Sequence, residues 1–177
     1  DQTIISAYKP SEIKDTSRMD KFTYHNMDDE YIVFERPYLQ NFLDYIFKHY
    51  NVSIWTAATK SYALYIIDKV ILANRPERQL NLIMFDTHCQ MEDAICIGWK
   101  PLCILKDKFN LRSYSMNNTI ILDDSLDVYK TQCKNVIQAN PFFYHHENSE
   151  HDRFLYKLEK LLKIYNMDVK NINKKLL

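Results

Sequence analysis

The run Thr119-Ile120-Ile121-Leu122 stops on two adjacent carboxylates, Asp123 and Asp124, with Ser125 after them. Short runs of aliphatic and β-branched residues read as buried strands. Polar function gathers where such a strand leaves a parallel sheet. Two carboxylates in that position need a cation to meet them. A hard divalent ion such as Mg²⁺, held by one or two carboxylates and a phosphate, meets that need. A second run, Val52-Ser53-Ile54-Trp55, lands on the hydroxyl of Thr56. A third, Leu102-Cys103-Ile104-Leu105, reads as a strand delivering Lys106 and Asp107. A hydroxyl, an ammonium and a carboxylate pair at separate strand ends are the parts that phosphate chemistry uses.

The elements that would position these groups alternate in type. Tyr31 to Phe34 reads as a strand, and Arg36-Pro37 opens a helix with Leu39, Phe42, Leu43, Ile46 and Phe47 on one face. A second helix spans Lys60 to Ala73, stopped by Asn74-Arg75-Pro76. Short strands are expected at Leu82–Phe85, Ala94–Ile97 and Leu102–Leu105, a helical turn at Leu126–Thr131, and a strand at Asn135–Ile137. Ser149 is expected to cap a closing helix carrying Phe154, Leu155, Leu158, Leu161, Leu162 and Tyr165 inward. Strands alternating with helices predict an α/β class: an open, mostly parallel, Rossmann-like sheet flanked by helices. Residues 6–30 are polar and read as a surface excursion or small β insertion. Residues 166–177, with Lys170, Lys174 and Lys175, read as a solvated basic tail.

Composition narrows the function classes. The chain has 177 residues, the length of a single domain over 1–177 with a substantial core. Lysine plus arginine and aspartate plus glutamate both number 23, so no global basic field recruits nucleic acid. No run approaches the ~18 apolar residues of a membrane span, which argues against a membrane partner. The expected location is intracellular, in nucleus or cytoplasm. Cys89, Cys96, Cys103 and Cys133 read as reduced core thiols. The lone glycine, Gly98, excludes a glycine-rich phosphate loop, so any phosphate must be met by side chains and strand ends.

Taken together, Arg36-Pro37-x-x-x-x-Phe42-Leu43, Ile54-Trp55-Thr56-Ala57-Ala58-Thr59-Lys60-x-Tyr62-Ala63, Leu105-Lys106-Asp107 and Ile121-Leu122-Asp123-Asp124-Ser125 resemble the haloacid dehalogenase (HAD) superfamily. More narrowly they resemble its RNA polymerase II C-terminal-domain phosphatases, including the small ones and the NLI-interacting-factor type. The Asn140-Pro141-Phe142-Phe143 corner is similar too. The resemblance implies an Asp-x-Asp-x-Thr motif ending the first strand, whose first aspartate attacks phosphorus and whose second protonates the leaving group. Asp1-Gln2-Thr3 is similar to its second half. Asp1 is then the general acid/base and Thr3 the supporting threonine, with the nucleophile two residues before Asp1 and the first core strand upstream of residue 1.

By the same resemblance Thr56 bonds the transferring phosphoryl oxygen, and Lys106 neutralises phosphate and nucleophile. Asp124 and the Asp1 main-chain carbonyl hold Mg²⁺, and Asp123 holds Lys106 or a metal-bound water. The implied activity is Mg²⁺-dependent, aspartate-based hydrolysis of phosphoserine or phosphothreonine in a protein or peptide, the polymerase C-terminal domain being one candidate. One departure stands out: Asp86-Thr87-His88 occupies a place where those phosphatases carry a basic residue. Two alternatives stay open, an inactive binding scaffold on the same fold and a phosphatase of nucleic-acid ends or small metabolites.

Overall fold

The computed structural model describes residues 1–13, 15–89 and 99–176. The expected strand at Ala94–Ile97, with Cys96 and Gly98, lies outside them.

Two parallel strand pairs carry the strand ends singled out above. In the first, β4 (Ser53–Trp55) pairs with β5 (Leu82–Met84), Ile54 opposite Ile83. In the second, β6 (Ile121–Asp123) pairs with β7 (Val136–Gln138), Leu122 opposite Ile137. Each pair is crossed over by helical chain, the arrangement that parallel pairing requires. Between β4 and β6 lies a cavity of about 590 Å³, whose walls include Ile54, Ile121, Leu122 and Ile137.

The other sheet is antiparallel, in order β1-β3-β2, with β1 at Ile5–Tyr8, β2 at Tyr24–Met27 and β3 at Tyr31–Glu35. Residues 6–30 therefore include two paired strands and two 3₁₀ turns, Pro10–Glu12 and Thr16–Lys21. Phe22, Ile32, Phe34, Phe142 and Tyr144 form a separate aromatic core beneath this insertion. Phe34 and Tyr144 stack with ring centroids 3.9 Å apart.

The principal core is built by helices. α1 (Leu39–His49) buries Leu39, Phe42 and Leu43, as the apolar spacing predicts. α2 (Lys60–Ile66) widens into a π-helical turn at Ile67–Leu72 and stops where Ala73 and Asn74 take left-handed backbone. α3 is a single turn, Asp86–Cys89. α5 (Leu126–Thr131) starts at Ser125, whose hydroxyl accepts from the Val128 N–H. α6 (Phe154–Tyr165) buries Leu155, Leu158 and Leu162 in the same core.

Several expectations change. Leu102–Leu105 is not a strand: α4 spans Cys103–Asp107, because a four-residue apolar run suits a buried helical turn as well as a strand. The basic tail is not free in solvent. Val169 and Ile172 of α7 (Val169–Leu176) are buried, and Asn173 bonds both the Val136 carbonyl and the Gln138 N–H. Its period of 3.6 puts two apolar residues inward and the lysines outward. The first N–H of α6 is met by Asp152, not Ser149, which begins a short 3₁₀ turn. Cys103 and Cys133 are free but exposed, so they are not core thiols.

Candidate active site

Asp1, Thr3, Thr56, Tyr62, Lys100, Asp123 and Asp124 all line the cavity between the parallel pairs. Each arrives on a different local device. β6 carries Asp123 to its end, and Asp123 is buried at 5 % exposure. One Asp123 oxygen accepts from the Ser125 N–H at 2.8 Å, and the other meets Lys100 Nζ at 2.6 Å. The pair supplies the ammonium–carboxylate contact that a buried charge requires.

Asp124 turns to the other side. Thr3 Oγ1 donates to Asp124 Oδ1 at 2.5 Å, and Gln138 Nε2 holds the Asp124 carbonyl. Thr3 is itself fixed by its own carbonyl, which accepts from Arg36 Nη1 at 2.8 Å. Arg36 is 2 % exposed, and its remaining donors go to the Asn140 carbonyl and, in a two-pronged pair, to Asp152. The guanidinium lies 4.3 Å from the Phe154 ring centroid. Such a planar fork has one geometry that meets all these acceptors together.

The Asp1 carboxylate accepts from the Tyr62 hydroxyl at 2.6 Å. Burial, then the neighbouring Tyr31, raises the Tyr62 pKa, so the phenol keeps the proton it donates. Thr56 ends β4: its N–H donates to the Met84 carbonyl, and its Oγ1 accepts from the Ala58 N–H.

The structure thus brings together Asp1, Thr3, Thr56, Asp123 and Asp124, and leaves Lys106 outside. Lys106 sits on α4, exposed, and is absent from the cavity wall. The expected Asp123–Lys106 contact is replaced by Asp123–Lys100. No local pattern marked Lys100: the residue before a proline is ordinarily extended, whereas Lys100 turns the chain with φ of 46°. His88 has a local role, its Nδ1 accepting from the Phe85 N–H. Among the described residues, no three His, Cys, Asp or Glu gather closely enough to form a metal cage.

A parallel α/β frame with a carboxylate pair and its lysine at one strand end, and a threonine at another, is that of the HAD-like fold. The profile of the NLI interacting factor-like phosphatases matches residues 1–173, and the chain belongs to that family. It is 40 % identical over 169 residues to the CTD phosphatase-like protein 355R of Invertebrate iridescent virus 6, covering 92 % of this chain and 93 % of that protein. A protein of the same name from Invertebrate iridescent virus 3 is 33 % identical over 174 residues, covering 93 % and 92 %. Ubiquitin-like domain-containing CTD phosphatase 1 of Danio rerio is 26 % identical over 133 residues, 72 % of this chain but 41 % of that one. Among solved structures, Fcp1, an essential RNA polymerase II CTD phosphatase, superimposes with a TM-score of 0.56 at 20 % identity. That match covers 99 % of this chain and 48 % of Fcp1, so the chain spans about half its length. A beryllium fluoride-bound fission yeast Fcp1 variant gives 0.57 at 19 % identity, covering 99 % and 59 %.

Proposed function

We propose that this protein is a Mg²⁺-dependent, aspartate-based phosphatase of phosphoserine or phosphothreonine in proteins. The observation that carries the reading is the meeting of Lys100–Asp123 and Thr3–Asp124 at one cavity edge beside Asp1 and Thr56. Phosphoryl transfer is mostly positioning and charge compensation, and this edge offers both.

In this reading a carboxylate two residues before Asp1 forms a bond to phosphorus as the ester P–O bond breaks. Asp1 gives its proton to the departing oxygen, then takes one from the water that releases phosphate. Tyr62 holds one Asp1 oxygen, leaving the other for that exchange. Thr56 offers its hydroxyl to a phosphoryl oxygen. Lys100, not Lys106, balances the phosphate charge, and Asp123 holds its ammonium. The oxygen donors of Asp124 and the Asp1 carbonyl suit Mg²⁺, with phosphate and water completing its shell. When bound, the ion neutralises phosphate charge so that an anionic nucleophile can approach.

Asp86 opens α3, where the resemblance expects a basic residue, and a carboxylate there would repel strongly acidic peptides. A phosphorylated serine or threonine in a protein is the proposed substrate. The C-terminal domain of RNA polymerase II is one such candidate, supported by the names of the relatives.

The test is hydrolysis of p-nitrophenyl phosphate by the full-length protein with and without Mg²⁺, beside Asp124→Asn. We expect metal-dependent turnover that falls by about 10²-fold or more in the variant. A folded wild-type protein without turnover would sink the enzyme reading and leave a phosphate- or protein-binding scaffold.

A further inference from the structure

We infer that Gln132 is a positioning residue for Lys100, fixing the backbone from which the phosphate-facing ammonium is presented. The inference rests on the place of Lys100 in the proposed phosphatase site. Gln132 is 8 % exposed, at the residue where α5 ends. Its side-chain amide makes two bonds to one short stretch of chain. Nε2 donates to the Lys100 carbonyl at 2.8 Å, and Oε1 accepts from the Leu102 N–H at 2.9 Å. The two contacts bracket Pro101, which has no N–H of its own to anchor the turn.

Lys100 needs such a clamp. Its φ of 46° lies in the left-handed region, which a side chain with a Cβ occupies only when its surroundings impose it. A lysine side chain has several rotatable bonds, so a backbone free to relax would carry Nζ away from Asp123. The same β6–α5 unit holds the other end: Asp123, the last residue of β6, bonds Nζ at 2.6 Å. Ser125 ties Asp123 to the first turn of α5, and Gln132 closes the last. Backbone and ammonium of Lys100 are thus gripped by one continuous stretch of ten residues, from Asp123 to Gln132.

A double-mutant cycle separates positioning from general support of the fold. Turnover of a fluorogenic phosphate monoester is measured for wild type, Gln132→Met, Lys100→Met and the double variant, well below their melting temperatures. Gln132→Met is expected to lower kcat/KM about tenfold in the wild-type background and less than twofold when Lys100 is already methionine, because its effect runs through that ammonium. An equal loss in both backgrounds, or none in either, overturns the inference while leaving the phosphatase reading intact. Should Gln132→Met fail to fold, Gln132→Glu is measured in the same two backgrounds. It keeps the length and the acceptor for the Leu102 N–H, and the same criterion decides. An inactive wild-type protein is seen before any variant is made, and overturns both readings together.

Discussion

Arg36 with Asp152 and Lys100 with Asp123 are both close ion pairs, and they are built for different ends. The Arg36 side chain is 1 % exposed, and its donors are spent on Asp152, the Thr3 carbonyl and the Asn140 carbonyl, with Phe154 and Phe142 against its faces. Lys100 is 15 % exposed and faces the cavity. Among the described residues Asp123 is the acceptor recorded for its ammonium. A guanidinium saturated by protein acceptors has nothing left for a ligand, whereas an ammonium with three donors can hold a carboxylate and still meet a phosphate. Saturation suits Arg36 to holding the fold, and spare capacity suits Lys100 to the phosphate-binding role proposed for it.

Replacing each cation by methionine breaks this comparison if it is wrong. Lys100→Met should lower turnover the most, by about 10²–10³-fold, the usual effect of removing a group that balances transition-state charge. Its melting temperature should fall as well, because Asp123, at 7 % exposure, is left without its ammonium. Arg36→Met should act on stability. It strands Asp152 and two main-chain carbonyls, costing about 3 kcal/mol, the low end for a broken buried pair because Asp152 keeps 22 % exposure. In a chain this size that lowers Tm by about 6–12 °C in a thermal melt. A stable Arg36→Met protein, or an active Lys100→Met protein, would reverse the assignment.

The smallest effect belongs to a third cluster, where Arg18 and Lys21 hold Glu150. The Lys21 hydrogen bond, then the main chain of Glu150 itself, lowers that carboxyl to about 2 from its ordinary 4.5. A depressed carboxylate contributes stability above the unfolded value and loses it as pH falls through the folded one. Glu150→Gln should therefore melt about 1–2 °C below wild type near neutral pH. The gap should close between pH 4.5 and 2.

Most of the frame was legible because pattern and packing agree. The inward faces of α1 and α6 follow the 3.6 period, and the hydroxyl of Ser125 and the carboxylates of Asp123 and Asp124 lie where a strand gives way to a helix. Lys106 was expected at a strand end because Leu102 to Leu105 is too short to show a period; as part of α4 it stands outside the cavity wall. The latch on Arg36 was hidden for a different reason. Its partners at residues 3, 140 and 152 lie far apart in sequence, and no local pattern announces them. The docking of α7 was missed because Val169 and Ile172 are few among lysines and asparagines, yet both are buried.

The separation of those Arg36 partners also bears on how the chain is made. Synthesis proceeds from the N-terminus at about 5–20 residues per second. Arg36 leaves the ribosome well before Asn140 and Asp152 exist, so its guanidinium stays hydrated and β3 cannot close against the rest of the protein. The Thr3–Asp124 contact spans 121 positions and waits in the same way. A nascent chain that stops before Asp152 therefore carries Asp1, Thr3, Thr56, Lys100, Asp123 and Asp124 without the latch that holds the Thr3 end of the site to the closing helix.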